Sequence, residues 1–97
     1  MTPPPVTSDI TPPSWYVYII RCRDDTLYTG ITTDVARRLA EHRRGGSRAA
    51  RYLKGRGPLH LVFHCRAGTR KAALTLEHTI KKLSRTEKLR LIDQPMP

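Results

Sequence analysis

A short stretch near the start of the sequence gathers side chains that phosphate-ester chemistry needs. Two segments rich in tyrosine and β-branched residues, 15–20 and 27–31, are separated by a polar turn, and Arg38 and His42 follow four residues apart. Cleavage of a phosphodiester requires a base for the attacking water, a cation for the charge that develops on the phosphoryl oxygens, and often a metal ion held by a carboxylate. The phenols, the guanidinium and the imidazole of this stretch, with Glu77 further along, can supply these parts.

Local patterns predict the elements that would position these side chains. Residues 15–21 and 27–31 are β-branched and aromatic, and the polar turn between them predicts an antiparallel hairpin. Thr33 or Asp34 can cap a helix that runs to about Arg44, where a glycine pair ends it. On such a helix Arg38 and His42 lie on one face. Along the first strand, Tyr16 and Tyr18 point to the same side of the sheet.

The second half of the chain predicts one more strand and two more helices. Residues 47–54 form a short basic helix or loop, residues 59–66 a third strand, and a long helix opens after residues 68–69. A capping box, Ser84-x-x-Glu87, starts a final helix. The expected apolar positions are Ala72, Ala73, Leu76, Ile80 and Leu83 in the long helix, and Leu89 and Ile92 in the last one. The element order is β-β-α-(α)-β-α-α, which predicts an α+β fold.

Each candidate residue also has an ordinary structural explanation. A tyrosine on a small sheet commonly packs in the core with its hydroxyl at the edge. Arg38 can be a solvated helix residue, and His42 a surface or capping histidine. Glu77 has the i,i+4 spacing for a helix-surface ion pair with Lys81.

Taken together, these residues resemble the two-part signature of the GIY-YIG nuclease superfamily. Tyr16-Val17-Tyr18 stands in the place of Gly-Ile-Tyr, and Tyr28-Thr29-Gly30 in the place of Tyr-Ile-Gly. The helical arginine of the family, the histidine one turn later and the glutamate of the later helix fall on Arg38, His42 and Glu77. The similarity covers residues 15 to about 92 and is closest to the small stand-alone bacterial members, the YhbQ-like group, which share the Tyr-Thr-Gly-Ile-Thr-Thr-Asp segment. The chain departs from the pattern at Tyr16 and Thr29, and Thr32 replaces a lysine that some members carry.

This resemblance implies a three-stranded antiparallel sheet flanked by helices, and divalent-metal-dependent endonuclease activity. Tyr18 would be the general base or would orient the water, Tyr28 would orient the water or the scissile phosphate, and Arg38 would neutralise transition-state charge. His42 would relay a proton or hold Tyr18, and Glu77 would bind a single Mg²⁺ or Mn²⁺. Gly30 would let the backbone approach closely beneath the site, with Tyr16 in support. A phenol has an ordinary pKa near 10, so Tyr18 must have its pKa lowered, with help from Arg38 or the metal, or must act in a concerted step.

Composition limits the classes of function. The 97 residues suffice for one domain, with a Pro-rich disordered tail over 1–14, a folded domain over 15–93 and a disordered end over 94–97. Eighteen Lys and Arg oppose eight Asp and Glu, and this net charge of +10 favours a nucleic-acid partner. No segment has the pattern of a signal peptide or a membrane span, so we expect a cytoplasmic protein with no membrane partner and no small-molecule cofactor. Cys22 and Cys65 predict buried free thiols rather than a zinc site, with a disulfide left open.

A basic segment over residues 37–56 is predicted to bind the nucleic-acid backbone, DNA more readily than RNA. Within it, Tyr52 either stacks on a base or simply packs. The leading hypothesis is a nuclease acting on DNA, on branched or single-stranded forms, with a link to DNA repair or processing. Alternatives are a binding module with the same fold but little or no catalysis, and a small basic protein of the ribosome. The predicted backbone-binding residues are Arg37, Arg43, Arg44, Arg48, Arg51, Tyr52, Lys54 and Arg56.

Overall fold

A computed structural model describes residues 13–93 of the chain. Most of the tail predicted to be disordered, and the predicted disordered end over 94–97, lie outside the described residues. Within residues 13–93, no helix is both long enough and apolar enough to cross a membrane.

The architecture is a three-stranded antiparallel sheet with helices packed against it, as predicted. The strands are β1 (Trp15–Arg21), β2 (Leu27–Thr32) and β3 (His60–Gly68), and β1 lies in the centre with β2 and β3 on either side. The helices are α1 (Val35–Arg44), α2 (Arg70–Lys81) and α3 (Arg85–Asp93), with a short 3₁₀ helix at Arg51–Leu53. The predicted element order and the α+β class are therefore confirmed.

Each helix begins at a side chain that accepts a hydrogen bond from a backbone N–H group of the first turn, which has no partner within the helix. Asp34 caps α1 by accepting from the Arg37 N–H, at 3.0 Å. Thr69 caps α2 by accepting from the Ala72 N–H, at 3.1 Å. The capping box predicted before α3 forms through Ser84 and Glu87.

Several local predictions were wrong in detail. β3 extends two residues further than expected, to Gly68, whereas the alternatives left open for residues 47–54, a short helix or a loop, are resolved as a loop with a single 3₁₀ turn. Ala72 is exposed because it lies in the first turn of α2, outside the stripe that meets the sheet. Leu89 is 38% exposed, and Leu91 packs on the core with Ile92 instead.

Two apolar clusters cover the two faces of the sheet. Alternate residues of β1 divide between them, as the period of a strand requires. Tyr18 and Ile20 face α1 and the 3₁₀ turn, while Val17 and Ile19 face Ala73 of α2. Cys22 and Cys65 are both free thiols, the first buried and the second half-buried, so the disulfide left open by the sequence is not formed.

Candidate active site

Tyr18 lies at the centre of β1 and is almost completely buried, on the face covered by α1. Its partner in the β1–β2 register is Gly30. A Cβ atom at position 30 would lie 2.5 Å from the Tyr18 hydroxyl oxygen and 2.6 Å from Cζ. Glycine is therefore required at position 30 because the phenol ring occupies the space of a side chain.

His42, on α1, holds the Tyr18 hydroxyl. The Tyr18 Oη and His42 Nε2 atoms lie 2.9 Å apart, and the backbone N–H of Ala50 donates to His42 Nδ1 at 3.2 Å. A backbone N–H can only donate, so Nδ1 carries the lone pair and a neutral imidazole carries its proton on Nε2. His42 therefore donates a hydrogen bond to the Tyr18 oxygen and leaves the phenolic hydrogen for another acceptor.

The protonation of both groups follows from burial. Burial lowers the pKa of His42 from 6.5 to about 4, with the nearby Arg38 cation adding to the effect. Burial also raises the pKa of Tyr18 from 10.0 to about 12, as does Tyr28, while Arg38 opposes the rise. At neutral pH both groups are uncharged. Of the two possibilities for Tyr18, a lowered pKa and a concerted step, the first is not found in the free protein, because desolvation outweighs the attraction of one guanidinium.

Arg38 lies near Tyr18 but is held by other groups. Its Nη1 donates to Glu41 Oε1 at 3.0 Å and to the Arg48 carbonyl oxygen at 2.6 Å. The Arg48 guanidinium lies 3.8 Å from the other Glu41 oxygen. Glu41 was not selected from the sequence, although its i,i+3 spacing from Arg38 was a usable signal. The pair fixes the guanidinium at the edge of the site and lowers the pKa of Glu41.

Tyr28 belongs to a row of aromatic and cationic groups beside Tyr18. Its ring centroid lies 6.4 Å from that of Tyr18, and the Tyr52 ring stacks on it at 5.9 Å with an interplanar angle of 22°. The Arg56 guanidinium covers Tyr52 at 4.3 Å and is anchored by Asp24 at 2.6 Å. Tyr52 is 42% exposed, so it both packs on Tyr28 and presents ring surface to solvent. Asp24 lies in the turn between β1 and β2, and it anchors the Arg56 guanidinium, which is 32 residues away along the chain.

Glu77 lies on α2, on the opposite face of the sheet from α1. Its side chain is 18% exposed, and the Lys81 ammonium lies 3.5 Å from Oε2, so the ion pair considered from the sequence is present. Its negative charge nevertheless acts on the site, since it is one of the groups that raise the pKa of Tyr18, although the one with the smallest effect. Among residues 13–93, no cluster of three or more His, Cys, Asp or Glu side chains could enclose a metal ion.

The predicted backbone-binding residues divide into two groups. Arg43 is tied into the fold, because its Nε and Nη2 atoms donate to the Leu59 carbonyl oxygen at 3.2 and 2.9 Å. Arg56 is held by Asp24, as described. The other members, all exposed as Arg43 is, are Arg37, Arg44, Arg48, Arg51, Tyr52 and Lys54. Tyr16 is half-buried and shares the Tyr18 face, two residues along β1.

The structure adds two exposed side chains on β3 that the sequence analysis missed. His64 is the register partner of Tyr18, and Arg66 is the partner of Tyr16. Both lie on the sheet face that carries the phenols. Only the strand register could identify them, and the irregularities in β3 hide it from the sequence.

Comparison with known proteins gives matches over most of the chain. Residues 14–90 match the model of the GIY-YIG catalytic domain. A UPF0213 protein of Pectobacterium carotovorum is 54% identical over 91 residues, which cover 93% of this chain and 90% of that protein. A UPF0213 protein of Yersinia pestis is 55% identical over 82 residues, or 84% of each chain.

Solved structures give the same result for the fold. The solution structure of a UPF0213 protein from Bacillus halodurans is 42% identical, with a TM-score of 0.53, over 81% of this chain and 82% of that one. A solution structure of a protein from E. faecalis is 36% identical, with a TM-score of 0.57 and the same coverage of both chains.

Proposed function

This chain belongs to the GIY-YIG nuclease family, and on that basis we propose that it is a divalent-metal-dependent endonuclease acting on DNA. Its substrates would be branched or single-stranded forms that arise in repair and processing. The observation that carries the proposal is the buried Tyr18 hydroxyl, which accepts a hydrogen bond from His42 and lies beside Arg38. The net charge of +10 supports a polyanionic substrate.

The hydrogen-bond geometry supports a specific role for each group. Because His42 Nε2 donates to Tyr18 Oη, the phenolic hydrogen can donate to a water or to a phosphate oxygen. A proton leaving Tyr18 in a concerted step would leave an oxygen already stabilised by the His42 N–H and the Arg38 charge. The pKa of about 12 argues against a phenolate in the free protein. His42 thus holds Tyr18 and does not accept its proton through Nε2.

Arg38 and Tyr28 would complete the phosphate site. In the proposed complex, Arg38 uses donors not engaged by Glu41 to neutralise the phosphoryl oxygens. Tyr28 lies in edge contact with His42, at 5.8 Å between ring centroids, and can orient the attacking water. Tyr16 and Gly30 support the positions of these groups.

Nucleases of this family typically use divalent metal ions, and Glu77 is the residue that fits one here. Its side chain is mostly buried, its ion-pair partner among residues 13–93 is the Lys81 ammonium at 3.5 Å, and its charge influences Tyr18. Mg²⁺ is commonly held by one or two carboxylates, with waters and substrate phosphates as the other ligands. A bound Mg²⁺ or Mn²⁺ would supply positive charge for the phosphoryl oxygens.

The test is cleavage of single-stranded, duplex and branched DNA with Mg²⁺ or Mn²⁺. Wild type is compared with Arg38→Gln and Glu77→Gln, and with Arg90→Gln as a charge-matched control on an exposed site of α3. We expect cleavage by wild type and the control, and a loss of about 100-fold in Arg38→Gln. Equal cleavage by wild type, Arg38→Gln and Glu77→Gln would indicate a contaminant and overturn the proposal.

A second candidate is a nucleic-acid-binding module with weak or no catalysis. Two observations favour it: the pKa of Tyr18 is raised instead of lowered, and Arg38 is already engaged by Glu41. Binding that persists in Glu77→Gln, with no turnover by wild type on any substrate or metal, would support this function over the first. RNA oligonucleotides in the same assay would test the preference for DNA.

A further inference from the structure

Trp15 lies at one end of the sheet, at the meeting point of all three strands. In the register, Trp15 is opposite Gly68 at the end of β3, and its neighbour Tyr16 is opposite Thr32 at the end of β2. The start of the central strand is therefore flanked by the ends of both outer strands. Two surface depressions meet at the Trp15 side chain, which lines both of them.

The first depression, of about 330 Å³, lies on the side of the candidate active site. It is bordered by the end of β2 and the outward face of α1, and it contains the Arg38–Glu41 pair. Its three arginines, Arg37, Arg38 and Arg48, face one carboxylate. This is the place where a phosphate bound by Arg38 would lie.

The second depression, of about 350 Å³, lies on the other side of Trp15 and is not used by the proposed catalytic groups. Arg66 and Arg70 line it, and of its described lining residues none is acidic. The Arg66 Nε donates to Ser14 Oγ at 2.9 Å, and the Arg70 guanidinium lies 5.6 Å from the centre of the Trp15 ring. Both arginines are exposed. Trp15 is half-buried on the cluster that faces α2, and the part of its indole that lines the depression, with Arg70 near the ring and Arg66 in the same lining, provides a stacking surface and phosphate partners.

We propose that this second depression binds a single-stranded segment of the substrate, one base of which stacks on Trp15 while Arg66 and Arg70 contact the flanking phosphates. The proposal rests on the proposed function, because it takes the two depressions as one continuous binding surface for the same DNA strand. The strand would run from Arg38 across the end of the sheet to the start of α2. This path favours substrates with an unpaired arm, since a base must leave a duplex to stack on the indole.

Trp15 is the single tryptophan of the chain, so its fluorescence reports binding in the two depressions that it lines, and the Arg66 and Arg70 variants assign the signal to the second one. The titration uses unlabelled oligothymidylate of 12 nucleotides in the absence of divalent metal, and affinity is measured in parallel by the anisotropy of a labelled copy. We expect quenching of Trp15 on binding. In Arg66→Gln and Arg70→Gln the affinity should fall several-fold, and the salt slope should decrease by about 0.7 per arginine.

Arg90→Gln is the matched control, and its affinity and slope should equal those of wild type. The proposal is overturned if the labelled oligonucleotide binds while Trp15 does not respond, or if the Arg66→Gln, Arg70→Gln double variant binds as wild type does. Cleavage with an unresponsive Trp15 would overturn this site and leave the nuclease assignment standing. Quenching that depends on Arg66 and Arg70, without cleavage under any condition, would support the site and overturn the proposed hydrolysis.

Discussion

The Tyr18 hydroxyl oxygen and His42 Nε2 lie 2.9 Å apart, and a backbone group fixes the direction of this hydrogen bond. Ala50 N–H donates to His42 Nδ1, so Nε2 carries the proton and donates to Tyr18. The imidazole is thus a buried neutral donor that orients the phenol. The segment after α1, which contributes Ala50, therefore fixes the tautomer of an imidazole on α1.

The acid stability of the protein should depend on His42. In the unfolded chain the imidazole takes up a proton below its ordinary pKa of 6.5, whereas in the folded protein it does so only near 4. The unfolded state therefore binds more protons between these values, and the free energy of unfolding should fall as the pH decreases from 6.5 to about 4. Urea unfolding at several pH values should show a steeper loss for wild type than for His42→Gln. Identical pH dependence of the two proteins would contradict this.

Replacement of Gly30 by alanine should displace the Tyr18 ring. The added Cβ would lie 2.5 Å from the hydroxyl oxygen, so the ring must move away from position 30. Overpacking of this kind costs about 1–3 kcal/mol of unfolding free energy. Gly57→Ala is the control, because its Cβ would meet only the Leu59 nitrogen, at 4.0 Å. Urea denaturation measures both, and an unchanged midpoint for Gly30→Ala would show that the ring is not held against β2.

The Mg²⁺ concentration needed for cleavage should depend on Lys81. Its ammonium lies 3.5 Å from Glu77 Oε2 and competes with a cation for that carboxylate. Lys81→Gln should therefore lower the Mg²⁺ concentration at half-maximal cleavage, and Glu77→Gln should raise it. Titration of cleavage against Mg²⁺ gives both values. A Lys81→Gln variant with the same requirement as wild type would remove Glu77 as the metal ligand.

Arg43 and Arg44 are adjacent but should have different effects. Both are exposed, but Arg43 is anchored to the fold, so Arg44→Gln is the variant that should reduce the slope of log affinity against log salt, by about 0.9 for duplex DNA. Arg43 donates twice to the Leu59 carbonyl oxygen, so Arg43→Gln should mainly lower the unfolding free energy, by about 1 kcal/mol. Binding at several salt concentrations and urea denaturation separate the two effects. Equal changes in slope would show that Arg43 also reaches the phosphate backbone.

The local parts of the fold could be predicted from sequence because their determinants are close along the chain. The β1–β2 hairpin and the cap and glycine end of α1 each lie within a few residues. The Glu41 partner of Arg38 was equally local, but nothing in its spacing distinguished it from a surface ion pair. Contacts across the fold could not be predicted in this way: Ala50 reaches His42, and Asp24 reaches Arg56, only after the chain has folded.

The same distinction explains why the direction of the Tyr18 pKa shift could not be predicted from the sequence. The sequence shows a phenol near an arginine, which would lower the pKa of the phenol. It does not show that the ring lies under α1 against Gly30, where desolvation dominates and raises the pKa. The sign of the shift therefore depends on tertiary burial that residue types and spacing do not report.

In the proposed mechanism, the Tyr18 hydroxyl takes part in phosphodiester cleavage. The most direct test is the single-turnover cleavage rate of Tyr18→Phe with a branched DNA and saturating Mg²⁺, with DNA affinity and the urea midpoint measured on the same preparation. Removal of the hydroxyl should slow cleavage by about 100-fold or more and leave the affinity for DNA within about two-fold of wild type. A folded Tyr18→Phe protein that cleaves at the wild-type rate would contradict the account.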